Sequence, residues 1–363
     1  MDARKLVMEA DVTDTNEPSP SQGAINRRPA TIHDVARAAG VSSQTVSRYM
    51  RGFDGMKPAT RAKVQSAIDE LGWRPNSLAR ALRMSAPTRI LLFVHELNES
   101  GPSNIILAAT RAAAAAGYTL EVVPLDADDA ASSAATISRA DQTFAVGAMA
   151  FVPNEDIARV FRETRFIIPL LREINGDGIE GEHAQGPLEP GITLVLQHLH
   201  ELGHRKIFAV HGPRAWFSSQ KRYRALHAAA MSLGVEVIGE VHGDWSANSG
   251  YDAALLMPQD ATALIAANDD MAIGAMSALH DKGLEIPADV SVTGFDDVKL
   301  AQFVVPALTT VHVDFRSSGQ IAIERLLELI ESSSVHHRSQ PVPQTLTVRD
   351  STGRAPESSF RPG

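Results

Sequence analysis

From Arg89 onward, short apolar runs alternate with helix-forming stretches, and this rhythm constrains the fold more than any other feature of the chain. RILLFVH, YTLEVVPL, FAVGAMAF, RFIIPLL, KIFAVHG, VEVIGEV, TALIAAN and VSVTGF read as strands, separated by segments such as ATRAAAAAG that suit helices. Strands alternating with helices pair in parallel, because each crossover helix covers a sheet face. The expectation is an α/β body with parallel sheets, built as two lobes or one large domain.

Residues 31–71 follow a different, helical pattern, TIHDVARAAGVSSQTVSRYMRG and then PATRAKVQSAIDELG. Thr31 and Asp34 form a capping pair, with Asp in place of the usual Glu or Gln. Ile32, Val35, Ala36 and Ala39 share one face, and Gly40 can end the helix in the left-handed conformation. Ser42 can cap a second helix, on which Val46 and Tyr49 turn inward while Ser43, Gln44, Ser47 and Arg48 point elsewhere. Pro58 suits the first turn of a third helix, which Val64, Ala67, Ile68 and Leu71 pack against the other two before Gly72 ends it. Two short helices joined by a Gly-containing turn make a helix-turn-helix. Gln pairs with adenine and Arg with guanine in a major groove, while Ser, Thr and Lys hold phosphates. An ordinary three-helix bundle with a polar exterior shares this outline.

Charge separates the same two parts. Between Arg27 and Arg83 stand eleven Arg and Lys against four Asp and Glu, a net of +7, so the rest of the chain carries −16 of the total −9. A basic module on an acidic body suits a DNA-binding head on a sensing domain. The chain has no cysteine, which removes disulfides and thiolate metal sites. No apolar run reaches the ~18 residues that span a bilayer. The polar N-terminus lacks the apolar core of a secretory signal, so a cytoplasmic protein without membrane contact is expected.

The head wording, TIHDVARAAGVSSQTVSR followed by ELGWRPNSLARALR, resembles the lactose-repressor (LacI/GalR) family of transcriptional regulators. Lys57 departs from it, standing where relatives often place a Ser cap. The body resembles the family's two-lobed, periplasmic-binding-protein-like domain through GYTLEVV, HLHELGHRKIFAVHGP, GDWSANSGY, AANDDMAIGAM, VSVTGFDD and LTTVHVDFRSSGQ. It is closer to the lactose-responsive members than to the purine- or ribose-responsive ones. Together the resemblance covers roughly residues 30–348. The expected organisation is a disordered extension (1–29), a helix-turn-helix head (30–74), a hinge helix and linker (75–88), an effector-binding and dimerisation domain (89–348) and a fraying tail (349–363).

The resemblance implies a homodimeric repressor on a pseudo-palindromic double-stranded operator, with Thr31, Ser42, Ser43, Gln44, Thr45, Ser47 and Arg48 on the DNA. SLARALR is too short to be a stable helix alone and should fold against a partner copy and DNA. Asn76, Ala79 and Leu82 are implied DNA contacts there, Leu82 as the wedge that kinks the central base step. A small-molecule effector, a sugar such as a β-galactoside, is implied between the lobes. Trp245 and Phe315 match aromatics of that pocket, Asn268 and Asp296 match groups that bind sugar hydroxyls, and Pro102 matches a contact from the first lobe. Gln220 stands where relatives place a ligand-binding Arg, and residues 126–186 align poorly, which leaves a different sugar or a non-sugar open. Trp216 suits a second stacking ring and core packing equally. The effector is expected to release DNA; the alternatives are a co-repressor role or a solute-binding protein without DNA regulation. Neither cofactor nor metal is expected. His200 and His204 spell HExxH, but Gly203 should end the helix before His204 and so separate the pair. Gly176, Gly178 and Gly181 spell GxGxxG in an acidic loop that opens no helix, which disfavours phosphate. An enzyme is not expected.

Overall fold

The structure, a computed structural model, describes residues 31–50, 55–71, 88–95, 100–141, 144–173, 189–332 and 342–357. The expectations for residues 1–29, for Asn76, Ala79 and Leu82 of the hinge, and for the GxGxxG segment lie outside these residues. The chain divides into two compact units, Met1–Met84 and Ser85–Gly363.

In the first unit, α1 (Ile32–Ala39), α2 (Ser43–Met50) and α3 (Pro58–Leu71) enclose a small core of Val35, Ala36, Ala39, Val46, Val64 and Ala67. The Thr31–Asp34 capping box forms, and Gly40 closes α1 at φ 63°. That angle costs a side-chain-bearing residue roughly 1–2 kcal/mol and glycine almost nothing. Tyr49 and Ile68 are half-buried, whereas Leu71 is exposed, a departure from the expected packing at the end of α3.

The second unit has two lobes. In lobe 1, β1 (Arg89–Val94), β2 (Thr119–Pro124), β3 (Gly147–Phe151) and β4 (Leu170–Glu173) form a parallel sheet ordered β2-β1-β3-β4. It is covered by α4 (Ser100–Ala115), α5 (Ala130–Asp141) and α6 (Glu155–Glu163). Alternation in β1 explains the layering: Ile90, Leu92 and Val94 enter one core cluster, Leu91 and Phe93 the opposite one. Burying each such side chain contributes about 1.5–3 kcal/mol. In lobe 2, β5 (Lys206–His211), β6 (Glu236–His242), β7 (Ala263–Ala266) and β8 (Ser291–Thr293) repeat the plan in the order β6-β5-β7-β8. Its helices are α7 (Pro190–Glu201), α8 (Phe217–Leu233), α9 (Ala247–Leu255) and α10 (Asp269–Asp281). Helices α9 and α10 touch backbone to backbone, since a Cβ on Gly274 would meet the Ala247 carbonyl oxygen at 1.8 Å.

The chain then returns across the lobes. Strand β9 (Thr310–Val313) pairs antiparallel with β10 (Gln344–Thr347) beside α7, while α11 (Phe315–Ser332) packs on α4 and the lobe 1 sheet. In each main sheet the first strand of the lobe has its successors on both sides. The switch in winding direction opens a crevice at the carboxyl ends of β1 and β3, and of β5 and β7.

Two further expectations change. The fourth strand, Leu170–Glu173, takes only the last two residues of the expected RFIIPLL run and extends beyond it, and Ile167 is 89% exposed. The tail does not fray through residue 357: Ser351 is fully buried, its hydroxyl donates to Val292 O (2.6 Å), and Ala355 N donates to Leu202 O (2.9 Å). Its backbone completes the hydrogen bonding of β8, a role that a polar composition does not announce.

Candidate functional site

In the head, the capping hydroxyl of Thr31 is committed to Asp34 Oδ2 (2.6 Å), and Ser42 Oγ accepts from Thr45 N (3.2 Å) to start α2. Ser42, Gln44 and Arg48 are exposed, and Ser43, Thr45 and Ser47 half-buried, opposite the face that carries Val46 into the core. Ser43 Oγ lies 2.9 Å from His33 Nδ1, which ties the first turn of α2 to α1. The hydroxyl of Tyr49 donates to Gln65 Oε1 and links α2 to α3. The polar side of α2 is therefore presented on a braced helix.

In the body, the crevice ends of both sheets bring together His95 after β1, Trp216 before α8, Trp245 after β6, Arg222 on α8, and Asp296 after β8. Trp216 and Trp245 lie edge to face at 5.9 Å, and His95 lies at 4.7 Å from Trp216. Trp245 holds φ 73°, fixed by Asn268 Nδ2 donating to its carbonyl (2.9 Å). Its ring rests on Gly212, where a Cβ would meet Cη2 at 2.2 Å; only glycine leaves that space. The Arg222 guanidinium stacks on Phe295 at 3.8 Å, lies 5.6 Å from Trp245, pairs with Asp296 Oδ1 at 3.2 Å and donates to Ala267 O. Trp245 Nε1, Arg222 Nε and His95 Nδ1 are buried without a protein partner. Buried polar atoms are normally paired, so this set is suited to a ligand with several hydroxyls.

The predicted residues take different places. Trp216, Trp245 and Asp296 are brought together. Asn268 is a positioning residue, with Oδ1 accepting from Met271 N (2.9 Å) at the start of α10 and Nδ2 holding Trp245. Phe315 is half-buried at the start of α11 and packs against core residues of both lobes. Pro102 stands in the first turn of α4, its side chain outside the described residues. Gln220 is not at the cluster: it is exposed, donates to Arg214 O (3.0 Å), and lines a separate recess with Tyr223 and Glu240. Arg222 takes the inward position. Two residues apart on a helix is about 200° of rotation, so a two-residue misalignment exchanges the inner and outer faces. His95 carried no motif and was not foreseen. The lobes are also joined by backbone here, Phe217 N donating to Pro153 O (2.8 Å).

Burial sets the protonation of this region. It pushes Asp296 up to about 6 despite the Arg222 charge, pushes Asp269 up to about 8, and lowers His95 to about 4. For both Asp residues the folded state binds the proton more tightly, so stability falls as pH rises, through about 6 for Asp296 and about 8 for Asp269. For His95 the unfolded chain binds it more tightly, so stability rises between about 4 and the ordinary 6.5. Above about 7.5, His95 is neutral in both states and Asp296 is ionised in both, so only Asp269 of these three still titrates. Urea midpoints should therefore fall from about pH 7.5 to about pH 9 in the wild type, and Asp269→Asn should flatten that slope. An unchanged slope in the variant would assign the fall to other groups.

HExxH does not form a metal site. Helix α7 ends at Glu201, Gly203 has φ 95°, and buried His204 engages Thr262 Oγ1 (2.9 Å) and Gly353 O (3.1 Å).

A helix-turn-helix head and a two-lobed binding-protein body define a ligand-responsive DNA-binding regulator. Residues 31–76 match the model of bacterial regulatory proteins of the lacI family, and residues 196–352 match the periplasmic binding protein-like domain. The lactose operon repressor of Escherichia coli (strain K12) is 32% identical over 329 residues, covering 90% of this chain and 91% of its own. The ribose operon repressor of the same strain is 28% identical over 331 residues, covering 89% and 99%. A solved lac repressor dimer bound to operator and the anti-inducer ONPF superposes with a TM-score of 0.76 at 30% identity, covering 90% of this chain and 100% of that one. The chain belongs to the lacI family of bacterial regulatory proteins. It is a DNA-binding transcriptional repressor under effector control, not an enzyme.

Proposed function

We propose that this repressor works in the cytoplasm as a homodimer on a pseudo-palindromic operator and that a sugar bound between the lobes releases it. The observation that carries the effector reading is the Trp216–Trp245 pair facing Arg222 and Asp296 at the sheet ends. Indole faces suit the apolar ring faces of a sugar, and the charged pair suits its hydroxyls. A β-galactoside is the first candidate, with Arg222 taking the role of the ligand-binding Arg that the resemblance places at Gln220. The effector moves the DNA equilibrium only by its difference in affinity for the two states.

Dimerisation has a surface to use. Leu300, within the 3-10 turn Lys299–Gln302, and Phe303 (72% exposed) and Val305 (93% exposed), just after it, project from one short stretch. Leu300 also lines a cleft of about 1330 Å³ with Leu107 of α4. Exposed apolar residues grouped in this way mark interaction surfaces, and the occupant is a second copy of the chain. Among the described residues no helix is long and apolar enough to cross a membrane.

Trp245→Ala tests the effector site: operator binding should persist while release by the sugar is lost, measured by anisotropy of a labelled duplex. Release that survives the substitution would place the effector elsewhere. In the head, Arg48→Ala should cost about 1–3 kcal/mol of operator affinity and relax preference at one base pair per half-site. A uniform loss across all sequences would instead make Arg48 a phosphate contact.

A further inference from the structure

Three side chains that play no part in the effector cluster converge in lobe 2. His211 ends β5, His227 lies in α8, and Glu240 lies in β6, sixteen and thirteen residues apart in sequence. Both imidazoles aim Nε2 at the same carboxylate oxygen: Glu240 Oε2 is 3.4 Å from His211 and 3.0 Å from His227. One ligand atom from each of the three lies within 4.8 Å of the others. We propose that His211, His227 and Glu240 form a binding site for a divalent first-row transition metal, zinc foremost.

The geometry suits such an ion. Zinc binds imidazole nitrogen at about 2.0–2.1 Å and carboxylate oxygen at about 2.0–2.2 Å, so neighbouring donors of a tetrahedral site stand about 3.3–3.5 Å apart. The His211–Glu240 separation of 3.4 Å lies in that range, and the His227–Glu240 separation of 3.0 Å falls just short of it. Two imidazoles and one carboxylate form a borderline donor set that favours zinc, nickel or copper over magnesium or calcium, which prefer all-oxygen shells. Three protein ligands leave one coordination position open.

The surroundings restrict the rings. Tyr223 packs at 5.0 Å from His211 and 4.3 Å from His227, and His211 also packs against His242 at 5.1 Å. His242 turns Nδ1 to Gly212 O at 2.8 Å and so is anchored outside the trio. The His211 side chain is 4% exposed, against 39% for His227 and 37% for Glu240. His211 therefore closes the floor and an ion enters from the His227 and Glu240 side. A bound ion would fasten α8, which also carries Arg222, to β5 and β6.

The test uses tag-free full-length protein stripped with a chelator. Titration with Co²⁺ should develop a visible absorption band of tetrahedral strength at one ion per chain, displaced by Zn²⁺. Zn²⁺ alone should raise the melting temperature of the wild type, because an ion that binds only the folded state stabilises it. His227→Ala and Glu240→Gln, both at partly exposed positions, should lose the cobalt band and bind Zn²⁺ at least tenfold more weakly while retaining operator binding, which shows that they are folded. Absence of a band in the wild type, or equal metal binding by the two folded variants, would overturn the site and leave an ordinary hydrogen-bonded cluster.

Discussion

Arg222→Met is expected to destabilise the body by about 3 kcal/mol at pH 8 and to abolish the effector response. Asp296 is nearly buried, and Arg222 is its ion-pair partner at 3.2 Å. Removing one member of a buried pair leaves an uncompensated charge, a loss of about 3–5 kcal/mol. The lower end applies because the carboxyl can take up a proton instead. Burial already lifts Asp296 to about 6, and without the guanidinium it rises further. The stability gap between variant and wild type should therefore be wide at pH 8 and narrow at pH 5, where the carboxyl is neutral in both proteins. Met keeps most of the apolar stem, so contact with Phe295 is largely preserved and the charge is the main change. Denaturant titrations at the two pH values measure this directly. A gap of equal size at both would mean that packing, not the ion pair, is what Arg222 supplies.

Phe303→Asp is expected to weaken the dimer by about 2–4 kcal/mol, roughly 30- to 1,000-fold. A large aromatic side chain at 72% exposure has little to lose within its own subunit, so the folded monomer should survive the change. Sedimentation should show monomers at concentrations where the wild type is dimeric. Operator affinity should fall with it, because a single head reads only one half-site. A variant that stays dimeric and binds operator normally would move the subunit contact away from the 300–305 surface.

Most of the architecture could be read from the chain because it follows from local rules. Short apolar runs between helix-forming stretches placed the strands of the two main sheets, and the Thr31–Asp34 cap with Gly40 placed the turn of the head. The fourth strand starts late in its run because RFIIPLL is apolar over most of its length, and pairing with β3 places the strand at Leu170–Glu173. The tail escaped notice since Ser351 and Gly353 are polar or small, and their value lies in backbone partners on β8. At the sheet ends, Trp245 and Asp296 are expected through the family resemblance, and Trp216 is open between a stacking ring and core packing; the structure groups them around Arg222 and buries both indoles. Arg222 was displaced by a two-residue ambiguity on α8, where the choice reverses the helix face. The His211–His227–Glu240 cluster has no short spacing to betray it, since three separate elements assemble it. HExxH has a short spacing and no site, because Gly203 interrupts the helix.

The central claim is that one molecule couples a DNA-reading head to a sugar-sensing body. The most direct measurement is binding of the full-length protein to a palindromic duplex with a central CG step, against a scrambled duplex, at one fixed salt concentration and with a panel of sugars that includes β-galactosides. Salt is held constant because phosphate contacts alone can change affinity by orders of magnitude. The account predicts tight, sequence-dependent binding that one sugar class abolishes in the wild type and fails to abolish in Trp245→Ala. Specific binding that no sugar alters, or the same release from Trp245→Ala, would contradict it.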